Sequence, residues 1–203
     1  MVNRADNLQG AMTHEDEVEI LRLENQELKN EIKALRDKFN SLEALADTDT
    51  LTPLANRRCF VRELDRVIRH VARYNSSAAV LFIDVDGLKN INDGFGHCAG
   101  DQALIHVAQL LRSTLRSTDV VARIGGDEFG LLVDPIEEQA VLRKIGALTK
   151  LISNSMIDYK GKSLLVNISI GSTMIRVDDD VDAVLSRADS AMYGVKRSQR
   201  SLR

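Results

Sequence analysis

The chain has 203 residues, 44% of them apolar, with a net charge of −3 and two cysteines. That length holds one domain and an appendage, and the apolar share excludes disorder throughout. Scattered lysines and arginines in a nearly balanced charge recommend neither a nucleic-acid groove nor an anionic membrane as partner, while a small anionic ligand held through a metal ion stays open.

Cys59 and Cys98 stand singly, without CxxC or His spacing, so neither a disulfide framework nor a zinc site is expected, and a reducing cytoplasm is the expected location. The longest apolar run, AAVLFI at 78–83, is too short to span a bilayer. The N-terminus lacks a basic region followed by an apolar core, so the chain is expected to be neither exported nor anchored.

Residues 1–14 read as a frayed tail. From 15 to 46 there is no Gly or Pro, and Glu, Leu, Lys and Ala dominate, which predicts one long helix. Steps of three and four residues collect Val18, Leu21, Asn25, Leu28, Ile32, Leu35, Phe39 and Leu42 on one seam, a heptad pattern with leucine at every d position. The flanking pairs Glu17 and Arg22, Glu24 and Lys29, Glu31 and Arg36, Lys38 and Glu43 are all opposite in sign, as a parallel in-register dimer requires. Asn25, polar at an a position, would bond to its own copy and penalise other registers. An amphipathic helix packed on its own domain would carry a broader apolar stripe. A parallel homodimeric coiled coil over 15–46 is therefore the expectation.

Beyond it, DTDTLTPLANRRCF leads into a helix over 57–74 that ends at NSS. AAVLFIDVDG then runs apolar into acids, as a buried strand does when its carboxyl end reaches solvent. A helix is predicted over 101–116, with Leu104, Val107, Ala108, Leu111 and Leu115 on one face. VVARI, GGDE and FGLLV read as two strands around a glycine turn. A helix over 137–154, a strand pair around SLLVNISIGSTMI and a last helix over 182–197 complete residues 47–203. The fold class expected is α+β, a mixed central sheet with helices packed on it.

The glycines of the turn RIGGDEFG answer the needs of a tight bend, since Gly tolerates positive φ and close backbone approach. Asp127 and Glu128 are surplus to that need. Asp84 and Asp86 flank Val85 at the end of the apolar strand, so both carboxylates leave on the same side. If the two strands are neighbours, these acids meet at one edge, where their mutual repulsion raises their pKa values unless a cation sits among them. Oxygen donors select hard metals, and Mg²⁺ takes one or two carboxylates with substrate phosphates completing its shell. The residues alone thus point to a Mg-dependent nucleotide site, against the competing reading of an acidic solvated turn.

From Asp47 to Arg203 the chain resembles the GGDEF-domain diguanylate cyclases. The motifs DTDTLTPLANRRCF, FIDVDGLKNINDGFGHCAGDQAL, RSTDVVARIGGDEFG, NISIGSTM and ADSAMYGVKRSQR stand in order. The resemblance implies a fold like that of nucleotide cyclase and polymerase palm domains, preceded here by the coiled-coil helix. It also implies condensation of two GTP molecules into cyclic di-GMP and two pyrophosphates by two domains that face each other, each holding one GTP and two Mg²⁺ or Mn²⁺ ions. By the resemblance Asp84, the Val85 carbonyl and Asp127 hold the metal, Asp127 is also the candidate proton acceptor, and Glu128 is a second catalytic candidate that supports the site without a fixed role. Asn92 and Asp101 read the guanine, and His97 touches substrate. Lys89, Lys196 and Arg200 reach the phosphates, and Gly125 and Gly126 keep the turn bare.

RSTD at 116–119 has the RxxD form of the family's product-inhibition site, which implies feedback binding of cyclic di-GMP by Arg116 and Asp119. Two positions depart from the family pattern: Pro53 stands where a Gly is usual, and Leu88 where a Phe is common. Besides the cyclase, the sequence leaves two other functions to weigh: an idle domain that binds GTP or cyclic di-GMP as a receptor, and a coiled-coil adaptor. Intact Asp84, Asn92, Asp101 and Asp127 speak against the receptor, and the adaptor leaves those acids unexplained.

Overall fold

The protein is seen in a computed structural model that describes residues 14–201, with side chains described for 18–36, 38 and 46–198. It divides at the junction of Ala46 and Asp47 into two compact units. Helix α1 (His14–Asp47) accounts for the described part of the first. Leu21, Leu28 and Leu35 of its seam are 57%, 57% and 60% exposed, so a single chain leaves the d positions open to water. Asn25 is exposed beside them and Val18 half-buried, whereas the side chains of Phe39 and Leu42 lie outside those described. The expected tail also lies outside, apart from His14, which begins the helix.

The second unit is built on strand β2 (Ala79–Asp86), whose apolar run is buried on both faces and takes the middle of the sheet. Strand β4 (Glu128–Val133) pairs with it on one side and β7 (Asn167–Met174) on the other, both antiparallel. Strand β3 (Val120–Arg123) lies antiparallel beyond β4, and the two residues of β1 (Ala55–Asn56) run parallel to β3. The order β1-β3-β4-β2-β7 makes the five-stranded sheet mixed, as the sequence predicts.

Successive side chains of β2 alternate between two cores. Leu81, Ile83 and Val85 enter the core shared with α4 (His97–Ser113) and α5 (Glu138–Ser153). Val80 and Phe82 enter the other, with α2 (Arg57–Tyr74) and α6 (Val181–Ser201). By the same alternation Asp84 and Asp86 continue the α6 side.

Three local expectations are corrected. The strand pair around SLLVNISIGSTMI is not a pair: β6 (Lys162–Leu165) joins β5 (Met156–Tyr159) in a separate hairpin, while β7 joins the main sheet. Lys160 and Gly161, at φ 53° and 78°, supply the left-handed turn of that hairpin. The helix predicted from 101 begins at His97, directly after α3 (Leu88–Phe95), and Gly96 at φ 85° redirects the chain between the two. Neither Gly125 nor Gly126 has a positive φ, so the acidic turn does not use the conformational freedom expected of its glycines.

Helix α6 is locked to the end of β7 by Arg187, which donates from Nη1 and Nη2 to the two Asp179 carboxylate oxygens, each at 2.6 Å, and from Nη2 to the Met174 carbonyl at 3.2 Å. The Arg187 hydrogen bonds hold the Asp179 carboxyl below its usual pKa, against the opposing effect of burial. The unfolded chain therefore takes up that proton first. The pair's contribution is full above the ordinary carboxylate pKa of about 3.9 and is lost as pH falls through the folded-state value. Asp179→Asn is expected to cost about 2 kcal/mol at pH 7, between exposed and fully buried pairs. The difference from wild type should shrink in urea melts repeated toward pH 3; a difference independent of pH would show that the pair is not its source.

Candidate active site

The end of β2 and the start of β4 meet, because the two strands are neighbours in the sheet. Asp84 lies directly opposite Glu128 in the register of the two strands, and the Val85 amide donates to the Asp127 carbonyl at 3.0 Å. Asp84 is buried, its side chain 4% exposed, and Lys196 of α6 sets its ammonium on Oδ2. Burial pushes the Asp84 carboxyl above its usual pKa; Lys196 opposes this, and Asp127 and Asp86 reinforce it. Asp86 accepts a hydrogen bond from the Ser169 hydroxyl at 2.9 Å. Asp127 and Glu128 are half-buried on the turn.

The two glycines do different work. A Cβ on Gly125 would crowd the Glu128 side chain, whose Oε2 lies 2.5 Å from that position, whereas a Cβ on Gly126 would meet nothing within 4 Å. Clearance at Gly125 thus serves Glu128 folding back over the turn, and only Gly126 faces open space. Arg123, to which the sequence assigned no role, clamps the turn: its Nη2 and Nε donate to the Gly126 carbonyl at 2.6 and 3.2 Å, and its Nη1 to Asp49 Oδ1 at 3.3 Å. The same Asp49 oxygen accepts from the Thr52 amide and hydroxyl at 2.8 and 2.7 Å. An arginine two residues before the first glycine of the turn was the available signal for this clamp.

The residues assigned to the base lie around the junction of α3 and α4. Asn92 rests against Gly100, and its Oδ1 is buried without a hydrogen-bond partner among the described residues. Such an orphan acceptor costs free energy unless a ligand donor meets it. Asp101 is exposed one residue beyond Gly100, and His97 and Lys89 are also exposed, with no ion pair among the described residues. Arg200 is on α6, but its side chain lies outside those described.

A Cβ on Gly100 would overlap Asn92 Oδ1. Gly100→Ala raises helix propensity by about 1 kcal/mol, so the fold should survive while the Asn92 amide is displaced. With Asn92 on the guanine, as the resemblance implies, GTP affinity is expected to fall about tenfold, the worth of one buried hydrogen bond. Unchanged affinity by calorimetry would remove Asn92 from the binding surface.

Arg116 and Asp119 lie elsewhere, along a cleft of about 420 Å³ that Pro53 also lines. Arg116 is exposed, and its amide donates to Asp119 Oδ2 at 3.2 Å. Lys144 of α5, absent from the sequence-derived site, donates to the same oxygen at 3.1 Å, and Asp119 Oδ1 is buried without a partner among the described residues. Pro53, whose carbonyl accepts from Arg112 Nη1 at 3.2 Å, therefore borders this cleft. Leu88 packs against the core on the α4 side.

The donor set suits a hard cation. Asp84, Asp127 and the Val85 carbonyl offer only oxygen, and the buried Asp84 already draws a cation in the form of Lys196. Among the described residues no group of three or more His, Cys, Asp or Glu side chains is placed to hold a metal by itself. A pair of carboxylates is what Mg²⁺ uses when phosphate oxygens supply other ligands.

Comparison with known proteins bears on the family of the chain. The family model for the diguanylate cyclase GGDEF domain matches residues 46–202. The diguanylate cyclase TpbB of Pseudomonas aeruginosa (strain UCBPP-PA14) is 37% identical over 181 residues, covering 87% of this chain and 41% of that protein. The chain therefore spans about two fifths of that relative's length. Among solved structures, the diguanylate cyclase SiaD in complex with its activator SiaC from Pseudomonas aeruginosa aligns with a TM-score of 0.81 at 28% identity, over 91% of this chain and 71% of that one. The coiled coil and GGDEF domain of DgcB from Caulobacter crescentus in complex with c-di-GMP aligns at 0.77 and 26% identity, over 88% and 95%.

Proposed function

From the premise that the chain belongs to the GGDEF family of diguanylate cyclases, we propose that it condenses two GTP molecules into cyclic di-GMP and two pyrophosphates. The observation that carries this is the meeting of Asp84 and Asp127 beside Lys196, a pair of carboxylates next to a cation suited to a triphosphate. Asn92 Oδ1 and the Asp101 carboxylate are acceptors, and the Watson–Crick edge of guanine offers N–H donors at N1 and N2, which supports guanine as the base.

In this reading Asp84, Asp127 and the Val85 carbonyl hold divalent metal, Mg²⁺ or Mn²⁺, two ions per half-site. When bound, the metal acidifies the attacking 3′-hydroxyl and neutralises charge on the departing pyrophosphate. Asp127 takes up the proton of that hydroxyl as the bond to the α-phosphorus of the other GTP forms. Lys196, Lys89 and Arg200 steady the phosphates, His97 contacts the substrate, Gly126 leaves room at the turn, and Arg123 holds the turn in place. Glu128, folded over Gly125, supports Asp127.

Each domain supplies half of the reaction, so two copies must face each other. The open seam of α1 suits a parallel homodimer over 15–46, which raises the effective concentration of one domain near its twin over 47–203. Among the described residues no helix is long and apolar enough to cross a membrane, and a cytoplasmic enzyme that contacts neither membrane nor nucleic acid is the setting proposed.

Purified protein with GTP and Mg²⁺ should yield cyclic di-GMP and pyrophosphate in a one-to-two ratio, at a rate per chain that rises with chain concentration. GTP bound but not turned over would replace the cyclase with a receptor. The orphan acceptor of Asp119 beside Arg116 supports cyclic di-GMP as a feedback ligand. Arg116→Ala is expected to weaken product inhibition at least tenfold, about the loss of one charge-assisted bond. An unchanged inhibition constant would count against the site.

A further inference from the structure

We propose that Lys196 is an exchangeable counter-ion that keeps divalent metal off Asp84 until a triphosphate draws its ammonium away, so that metal settles only together with nucleotide. The inference rests on the reading of Asp84 as a metal ligand and Lys196 as a phosphate partner.

Asp84 carries a buried carboxylate at the end of β2, next to Asp127 and Asp86, and a buried charge needs a partner. Lys196 supplies it directly, at 25% exposure, with its ammonium on Oδ2 of that carboxylate. A divalent ion approaching this carboxylate meets a positive charge within a hydrogen-bond length. The position of α6 fixes the reach of that charge. Its backbone at Ala191 and Met192 lies so close on Gly171 of β7 that no Cβ fits there, and Lys196 follows Met192 by one turn on the same face.

The flexible four-carbon stem of lysine lets the ammonium swing from carboxylate to phosphate without movement of the helix. A triphosphate offers the ammonium a stronger anion and brings its own oxygens to the metal. The exchange makes metal and nucleotide raise each other's affinity, since linkage is reciprocal.

The test is Mn²⁺ binding to the nucleotide-free protein at pH 8, followed by electron paramagnetic resonance of the free ion. Lys196→Met is expected to bind Mn²⁺ at least about tenfold more tightly than wild type, the least that removing a unit charge in contact with the site should give. Lys196→Arg, which keeps the charge, should stay at the wild-type level. Without metal, Lys196→Met should bind a non-reacting GTP analogue more weakly than wild type, so the two affinities move in opposite directions. Thermal melts of each variant verify the fold, and Lys196→Arg keeps the comparison valid if Lys196→Met melts early. Equal Mn²⁺ binding by wild type and Lys196→Met, with Asp84→Asn weaker than both, overturns the exchange and leaves Asp84 as a ligand. A gain that persists in the Asp84→Asn, Lys196→Met double variant overturns both, because the ion would then lie elsewhere.

Discussion

Asp127→Ala is expected to lower cyclic di-GMP formation at least about 10³-fold, since metal-assisted charge stabilisation is worth several kcal/mol and each 1.36 kcal/mol is a factor of ten. The fold should not change with it. What ties Asp127 to the sheet is its carbonyl, which accepts from the Val85 amide, and alanine keeps that carbonyl. The side chain is half-buried on a turn whose bend is held by Arg123 through the Gly126 carbonyl. Stability in urea should therefore stay within about 0.5 kcal/mol of wild type, as for a substitution away from packed groups. Retained turnover would remove Asp127 from the chemistry, and turnover lost together with stability would show that Asp127 holds the turn.

The largest loss of stability should come from Gly171→Ala. A methyl group there would lie 2.5 Å from the Ala191 carbonyl carbon, with the Met192 backbone nearer still, and helix backbone cannot yield as a flexible side chain can. Helix α6 must lift from β7, along a line that also holds the buried Ala188 and Met192. A cost of about 3 kcal/mol, at the upper end for overpacking, corresponds to a fall of about 6–12 °C in Tm for a domain of this size. Because Lys196 rides on α6, the variant should also lose its grip on Asp84 and on triphosphate. A Tm within 2 °C of wild type, or about that, would mean that α6 does not rest on Gly171 so closely.

Much of this was legible in the sequence because local patterns decided it. The Gly- and Pro-free stretch that becomes α1, the apolar run that becomes β2, and the glycine turn between β3 and β4 each satisfy a short-range rule. The convergence of Asp84 with Asp127 needed one further assumption, that β2 and β4 are neighbours, and the register Asp84 to Glu128 meets it. Long-range pairings were not legible. Nothing near Lys196 indicates that its ammonium rests on Asp84, and nothing near Lys144 indicates Asp119. The β5–β6 hairpin was missed although Lys160 and Gly161 carry a turn signal, because no Gly or Pro marks a break between Leu164 and Ile170, where Val166 divides the chain between two sheets. The short α3 was missed because eight residues between Gly87 and Gly96 show too little period to register.

The most direct measurement is a crystal structure with a non-reacting GTP analogue and Mn²⁺, in which anomalous scattering locates the metal. The result expected is Mn²⁺ within bonding distance of Asp84 and Asp127, the triphosphate against the Gly126 turn with Lys196 moved onto it, and the guanine on Asn92 and Asp101. Metal bound away from both aspartates, or a guanine remote from Asn92, would contradict it.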